Sequence, residues 1–136
     1  MQEGLVLGPF TSRMQERQGS RALKNVNNLV KDVLITWAVR QVATSRLEVL
    51  DVASGRGGDQ LKFLRAAKGL GRTLAYNAVD VAGAQVSEAR QRLRQRLPDA
   101  TLECARFFVG DVVEVAPSLQ GKELPWQHVV SIQFAL

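Results

Sequence analysis

The residues of this sequence that could do chemistry gather around one stretch, VLDVASGRGGDQLKF at positions 49–63. An apolar run reaches an aspartate, Asp51, passes through a loop holding Gly55, Gly57 and Gly58, and turns helical near Asp59. Glycines so placed let a backbone loop approach a ligand with no Cβ in the way. Two further acids, Asp80 and Asp111, follow the next two apolar runs, so three successive strands end at or near a carboxylate. One such acid is routine, whereas three in series imply a site. Asp80 stands where a carboxylate accepts hydrogen bonds from ribose hydroxyls in adenosine-binding folds. Asp111 stands where an acid could accept from an adenine amino group. The dinucleotide pattern G-x-G-x-x-G is broken by Gln60, which disfavours NAD. The bland alternative for the glycines is a plain strand-to-helix turn, and Asp59 reads as a helix cap.

Little else in the chain offers reactive chemistry. Cys104 is the single cysteine, so no internal disulfide forms and a reducing compartment fits. Its apolar setting, TLECARFFV, reads as a buried, inert thiol. His128 is the single histidine, which excludes a His-rich metal centre, and it reads as the start of a strand. No metal is expected.

The elements that must position these residues alternate. Positions 1–20 read as a flexible arm. A helix follows from about 21 to 43–45, with Val26, Val30, Val33 and Trp37 as its apolar stripe and Trp37 as a core anchor. Strands are expected at 47–52, 74–79, 102–109 and 128–134. Helices are expected at 59–68, 82–97 and, more weakly, 112–120, with Gly69 or Gly71 taking a left-handed cap. In the helix at 82–97, Val86, Ala89, Leu93 and Leu97 form the inner face. Arg90 and Arg94 flank that face on one side, Arg92 and Arg96 on the other, so all four cannot line one site. This alternation predicts an α/β fold, a doubly wound, mostly parallel, Rossmann-like sheet that binds ligand at its carboxyl edge. A chain of 136 residues, 46% apolar and 23% charged, suits one domain of a soluble protein. No apolar run is long enough to span a membrane, and the N-terminus lacks a secretory pattern. A net charge of +5 favours an anionic partner such as RNA, or serves solubility alone.

The loop spacing fits the acid-x-G-x-G-x-G pattern of S-adenosylmethionine-dependent methyltransferases, with Ala53 at the first glycine position. Together, SRALKNVNNLVKDVLI (20–35) and VLDVASGRGGDQLKF (49–63) resemble the messenger-RNA cap guanine-N7 methyltransferases. VDVAGAQVSEARQR (79–92), VGDVV (109–113) and VVSIQFAL (129–136) extend the match. The resemblance implies that Lys31, Asp51, Ala53, Gly55, Asp80, Asp111 and Gln133 hold S-adenosyl-L-methionine. Asn27, Asn28, Arg56, Lys62 and Arg92 would face the cap and its RNA, with Arg56 and Lys62 looking outward. Asn27 and Lys31 are one helical turn apart, as two residues reaching one cleft must be. The sequence departs from the pattern at Ala53-Ser54, where the family has Gly-Cys, and at Leu29, where it has tryptophan. Alanine is accommodated if position 53 is extended with negative φ.

The implied reaction moves a methyl group to N7 of the 5′-terminal guanosine, leaving S-adenosyl-L-homocysteine and needing no catalytic acid or nucleophile. The resemblance also implies a nuclear location, a guanylyltransferase as capping partner, and a domain at 21–136 whose cap-pocket portion is missing. Two rivals remain open: a small-molecule methyltransferase, and a non-catalytic RNA-binding or regulatory module on a methyltransferase fold.

Overall fold

A computed structural model describes residues 9–96, 102–119 and 125–133 of the chain. Four strands, β1 (Arg46–Val52), β2 (Thr73–Asp80), β3 (Leu102–Val109) and β4 (Val129–Ile132), form one parallel sheet in the order β3-β2-β1-β4. Between them run α1 (Pro9–Arg40), α2 (Gln60–Gly69), α3 (Gly83–Arg96) and α4 (Val112–Leu119). β1 and β2 are buried along nearly their whole length, as central strands of a parallel sheet covered on both faces must be. The strand order reverses between β1 and β4, opening a crevice at the carboxyl edge beside the glycine loop.

The larger core lies on one face, where Ile35 and Val39 of α1 and Phe63 and Ala67 of α2 meet Leu47, Val49, Leu74 and Tyr76. α3 joins the same face: the Gln60 side chain donates to the Ala89 carbonyl, and Arg90 covers the Phe107 ring. Val86, Ala89 and Leu93 are its buried residues, as expected, while Leu97 lies outside the described residues. A smaller cluster of Leu50, Val52 and Val79 packs with Phe108 and Val112 on the opposite face.

Most boundaries fall close to their expected places, with Gly71 (φ 66) taking the left-handed turn after α2. β4 is shorter than expected, and Phe134 lies outside the described residues. Two expectations for α1 are corrected. It begins at Pro9, so residues 9–20 are helical where a flexible arm is expected; residues 1–8 lie outside the described residues. Pro9 suits a first turn, and a single internal glycine, Gly19, costs only about 1 kcal/mol.

The apolar stripe of α1 also faces the other way. Val33 and Trp37 are 60% and 62% exposed, and Val26 and Val30 are exposed as well. The inward stripe is Asn27, Lys31, Ile35 and Val39, spaced by fours. Its first two members are polar, and Lys31 pairs with Asp59 at the start of α2, so apolar periodicity passes over them. Val130 and Ile132 of β4 are likewise exposed, on the side of the smaller core.

This assignment separates neighbouring positions on one helix. Ile35→Ala is expected to cost about 2–4 kcal/mol in urea unfolding, against about 0.5 kcal/mol or less for Val33→Ala. Equal costs would restore the expected stripe to the core.

Candidate functional site

The carboxyl edge of the sheet is tied together by Asp80. One carboxylate oxygen accepts the Gly55 N–H at 2.8 Å, and the other accepts the Ala82 N–H at 2.8 Å. Its backbone carbonyl accepts the Gly110 N–H at 2.9 Å, and the neighbouring Val79 carbonyl accepts the Ser54 N–H at 3.2 Å. A single residue thus fixes the loop after β1, the start of α3 and the end of β3. Around it lies a cleft of about 180 Å³, lined by Val52, Ala53, Asp80, Val81, Gly110 and Asp111, among others. Asp111 sits at the start of α4, its Oδ1 accepting the Val113 N–H at 2.9 Å. The structure therefore brings Ala53, Gly55, Asp80 and Asp111 to one place.

The loop itself corrects the expectation for Ala53. Its φ is 57, in the left-handed region, and it is the single non-glycine so placed among the described residues. The turn out of β1 that aims the Gly55 N–H at Asp80 needs this geometry, which costs an alanine about 1–2 kcal/mol. Gly57 (φ 80) is favoured by its left-handed backbone, and a Cβ there would meet the Gln60 side-chain amide at 2.6–2.7 Å, so that amide would have to move.

Beneath the loop lies a buried polar group on the face of α1 and α2. Asp51 is 2% exposed and accepts a 2.5 Å hydrogen bond from the Tyr76 hydroxyl. It forms part of the floor under the loop and does not line the cleft. Burial raises its carboxyl from 3.8 to about 7 against the opposing pull of the Tyr76 hydrogen bond. Burial, then the facing Asp51, pushes the Tyr76 hydroxyl well above its usual value.

Asp59, expected as a cap, makes no capping bond with its side chain. Its carboxylate instead lies 3.5 Å from the Lys31 Nζ and 3.1 Å from the Lys62 Nζ, pinning α1 to α2. Lys62 is corrected with it. The residue is 8% exposed and its ammonium also donates to the Gly58 carbonyl at 2.9 Å, so it points inward. Three residues past Asp59 on α2, Lys62 is held on the side that meets α1.

At the outer rim the structure joins two of the expected basic residues. Glu88 lies 3.6 Å from Arg56 and 3.0 Å from Arg92, and Arg92 also reaches the Arg56 carbonyl at 3.5 Å. Asn27 and Asn28 are half-buried on α1, one turn before Lys31. Gln133 follows β4 and lines a separate groove with Leu34, Trp37 and Ser131.

The participants that sequence reasoning passed over are Tyr76 and Glu88, while Asp59 is read there only as a cap. A tyrosine inside an apolar strand signals a hydroxyl in need of a partner, but only strand register shows that Asp51 supplies it. His128, expected as the first residue of the strand, lies just before β4 and ties it to β1: its backbone N–H donates to the Glu48 carbonyl at 2.8 Å, and its Nδ1 accepts the Glu48 N–H at 2.9 Å. Cys104 is half-buried on β3, not enclosed as expected, because β3 is an outer strand. Among the described residues no acid, histidine and cysteine group could hold a metal ion, and no helix is long and apolar enough to cross a membrane.

Comparison with known proteins gives this geometry a setting. Residues 10–136 match the family model of the mRNA (guanine-N(7))-methyltransferase domain. The mRNA cap guanine-N(7) methyltransferase of Schizosaccharomyces pombe is 32% identical over 116 residues, covering 84% of this chain and 30% of that protein. Its counterpart in Cryptococcus neoformans var. neoformans is 36% identical over 121 residues, covering 84% of this chain and 17% of that protein. The chain thus spans less than a third of the length of either relative. Among solved structures, a Methanococcus maripaludis protein described as an S-adenosyl-L-methionine-dependent methyltransferase aligns with a TM-score of 0.50 and 10% identity. That alignment covers 85% of this chain and 47% of the other, and the likeness is one of fold alone.

Two measurements test the loop and its floor. Ala53→Gly relieves the left-handed strain at the cost of a more flexible unfolded chain, for an expected net gain of about 0.5 kcal/mol in urea unfolding. Ala53→Val is expected to lose about 1–3 kcal/mol; a stable valine variant would show that the position is extended. For Asp51 the folded value is the raised one, so its stabilising contribution is complete below 3.8 and lost as pH rises through 7. Asp51→Asn is expected to flatten the fall in stability between about pH 4 and about pH 7. An unchanged slope would assign that fall to another group.

Proposed function

The chain belongs to the mRNA (guanine-N(7))-methyltransferase family, and on that premise we propose that it forms the cofactor-binding part of an enzyme methylating N7 of a 5′-terminal guanosine cap. The observation that carries this reading is the convergence of Asp80, Asp111 and the glycine loop on one cleft at the carboxyl edge of the sheet. The family's cofactor is S-adenosyl-L-methionine, which supplies an electrophilic methyl group and leaves as S-adenosyl-L-homocysteine.

The residues present fit that cofactor. Each oxygen of Asp80 accepts one backbone N–H and keeps a lone pair for a ribose hydroxyl. In this reading Asp111 accepts from the adenine amino group, Ala53 and Gly55 present backbone to the methionine part, and Gln133, which lines the neighbouring groove in this structure, would have to turn from it to close the far side. Lys31 pairs with the cofactor carboxylate. Two ammonium groups, Lys31 and Lys62, share Asp59, and nearby Asp51 is only partly ionised near neutral pH, which leaves positive charge for that carboxylate. Asp51 and Lys62 are positioning residues: one holds the floor through Tyr76, the other holds Asp59 and the loop through Gly58.

The cap side is formed by Asn27 and Asn28 on α1 and by Arg56 and Arg92, whose bridge through Glu88 keeps both guanidinium groups beside the loop. N7 of guanine carries a lone pair and no proton, so transfer needs no base. The protein's task is to align acceptor, methyl group and sulfur, and to stabilise charge as it passes to the purine. The partner in this reading is the capped 5′ end of RNA, with a guanylyltransferase upstream and the nucleus as the place of action.

Calorimetry on the full chain separates the readings. S-adenosylhomocysteine is expected to bind, and Asp80→Asn to weaken it about tenfold, with circular dichroism checking the fold. Folded protein that binds no S-adenosylhomocysteine would sink the enzyme reading and leave the binding module. Cap analogue is then expected to bind about three- to tenfold more weakly to Arg56→Ala and Arg92→Ala. Unchanged cap affinity in both would withdraw the cap assignment and favour a small-molecule acceptor.

A further inference from the structure

At the edge of the sheet farthest from β4, a groove of about 350 Å³ runs between α3 and β3. Arg90, Leu93 and Arg94 line it from the helix, with Glu103, Cys104 and Phe107 among its residues from the strand. Among the described strands β3 has a neighbour on one side only, so its outer backbone groups are open to a further strand.

Among the described residues the groove carries positive charge beyond its paired acid. Arg90 is exposed and lies over the Phe107 ring, 5.6 Å from its centroid, and Arg94 is exposed beside it. Among the described residues, the carboxylate pairing on α3 is between Glu88 and the cations Arg56 and Arg92, which leaves Arg90 and Arg94 without an acidic partner. Among the described residues the one acid of the groove is Glu103, which is already bound to Arg46 at 2.9 Å and so repels an incoming acid less than a free carboxylate does.

We propose that this groove takes an extended acidic peptide segment of a partner protein, added alongside β3 as a further strand. Arg90 and Arg94 are one turn apart, about 6 Å along the helix. Residues two apart on an extended strand are separated by about 6.6 Å and point the same way. A peptide with acids at alternate positions therefore meets both arginines from one face while its main chain pairs with β3. Leu102 and Phe107, both half-buried on the strand, give the stems of its side chains an apolar floor. A nucleic acid backbone would satisfy the arginines but leave the strand's open backbone groups and the apolar floor uncovered. None of these residues belongs to the cofactor cleft or the Arg56–Glu88–Arg92 rim, so the proposal stands apart from the methyl-transfer reading.

The probe is a fluorescent peptide alternating glutamate with valine, titrated with the full chain at physiological salt and followed by anisotropy. Binding is expected, and the double variant Arg90→Ala/Arg94→Ala, altering two exposed side chains, is expected to weaken it about five- to tenfold. Cys104 is the single cysteine of the chain and lies on the strand to be paired, its side chain on the sheet face away from α3, so its alkylation reports coverage of the β3 edge. Bound peptide is expected to slow that alkylation severalfold. A peptide of the same composition with its glutamates grouped together is expected to bind more weakly. No binding, binding that leaves Cys104 alkylation unchanged, or a single-stranded RNA that binds more tightly and protects Cys104 equally would each overturn the proposal.

Discussion

The carboxylate of Asp80 accepts hydrogen bonds from two backbone N–H groups twenty-seven positions apart, Gly55 and Ala82, and the rest of the site depends on that clamp. To point its N–H at Asp80 the loop must leave β1 through left-handed geometry, which Ala53 adopts at a cost and Gly55 and Gly57 adopt freely. Once the loop is fixed, α2 starts in a defined direction, and its first residues come to face α1. The strain at Ala53 is offset locally, by the Ser54 N–H on the Val79 carbonyl and the Gly55 N–H on Asp80.

The second constraint is charge beneath that loop. Lys31, Asp59 and Lys62 are largely withdrawn from water, and such ions are tolerated only when paired and hydrogen-bonded. Meeting that condition turns the polar stripe of α1 inward near the crevice, with Ile35 and Val39 completing the contact further along. The longer apolar stripe of the same helix then faces out. A helix whose stability came from its apolar face alone would sit the other way round, so the polar cluster, with the packing of Ile35 and Val39, sets the orientation.

Much of this was legible in the chain. The alternation of apolar runs with helical periodicity gave four strands and the helices between them, because buried parallel strands read as short apolar runs bounded by turns. Asp80 and Asp111 were legible because acids directly after strands fall at the carboxyl edge whatever the register. The reading failed where contacts across the chain outweigh local pattern. Val33 and Trp37 looked like core, and Asp59 looked like a cap until two lysines, one of them on another helix, claimed its carboxylate. Lys62 looked like an outward cation because spacing along the loop does not reveal which side of α2 meets α1. Ala53 looked extended because alanine prefers negative φ, and only the demand that Gly55 reach Asp80 forces it otherwise.

By itself the sequence determined the class of fold, the loop and the acids that flank it, since these follow from periodicity and from glycine and aspartate at fixed offsets along one strand-loop-helix unit. Tertiary structure alone decided which way α1 turns, that Asp51 lies under the floor against Tyr76, that Arg56 and Arg92 meet through Glu88, and that Arg90 and Arg94 stand at the β3 edge with no acidic partner among the described residues. Each of those depends on distances between segments remote in the chain. Burial and pairing energies choose among faces there, and no local pattern encodes that choice.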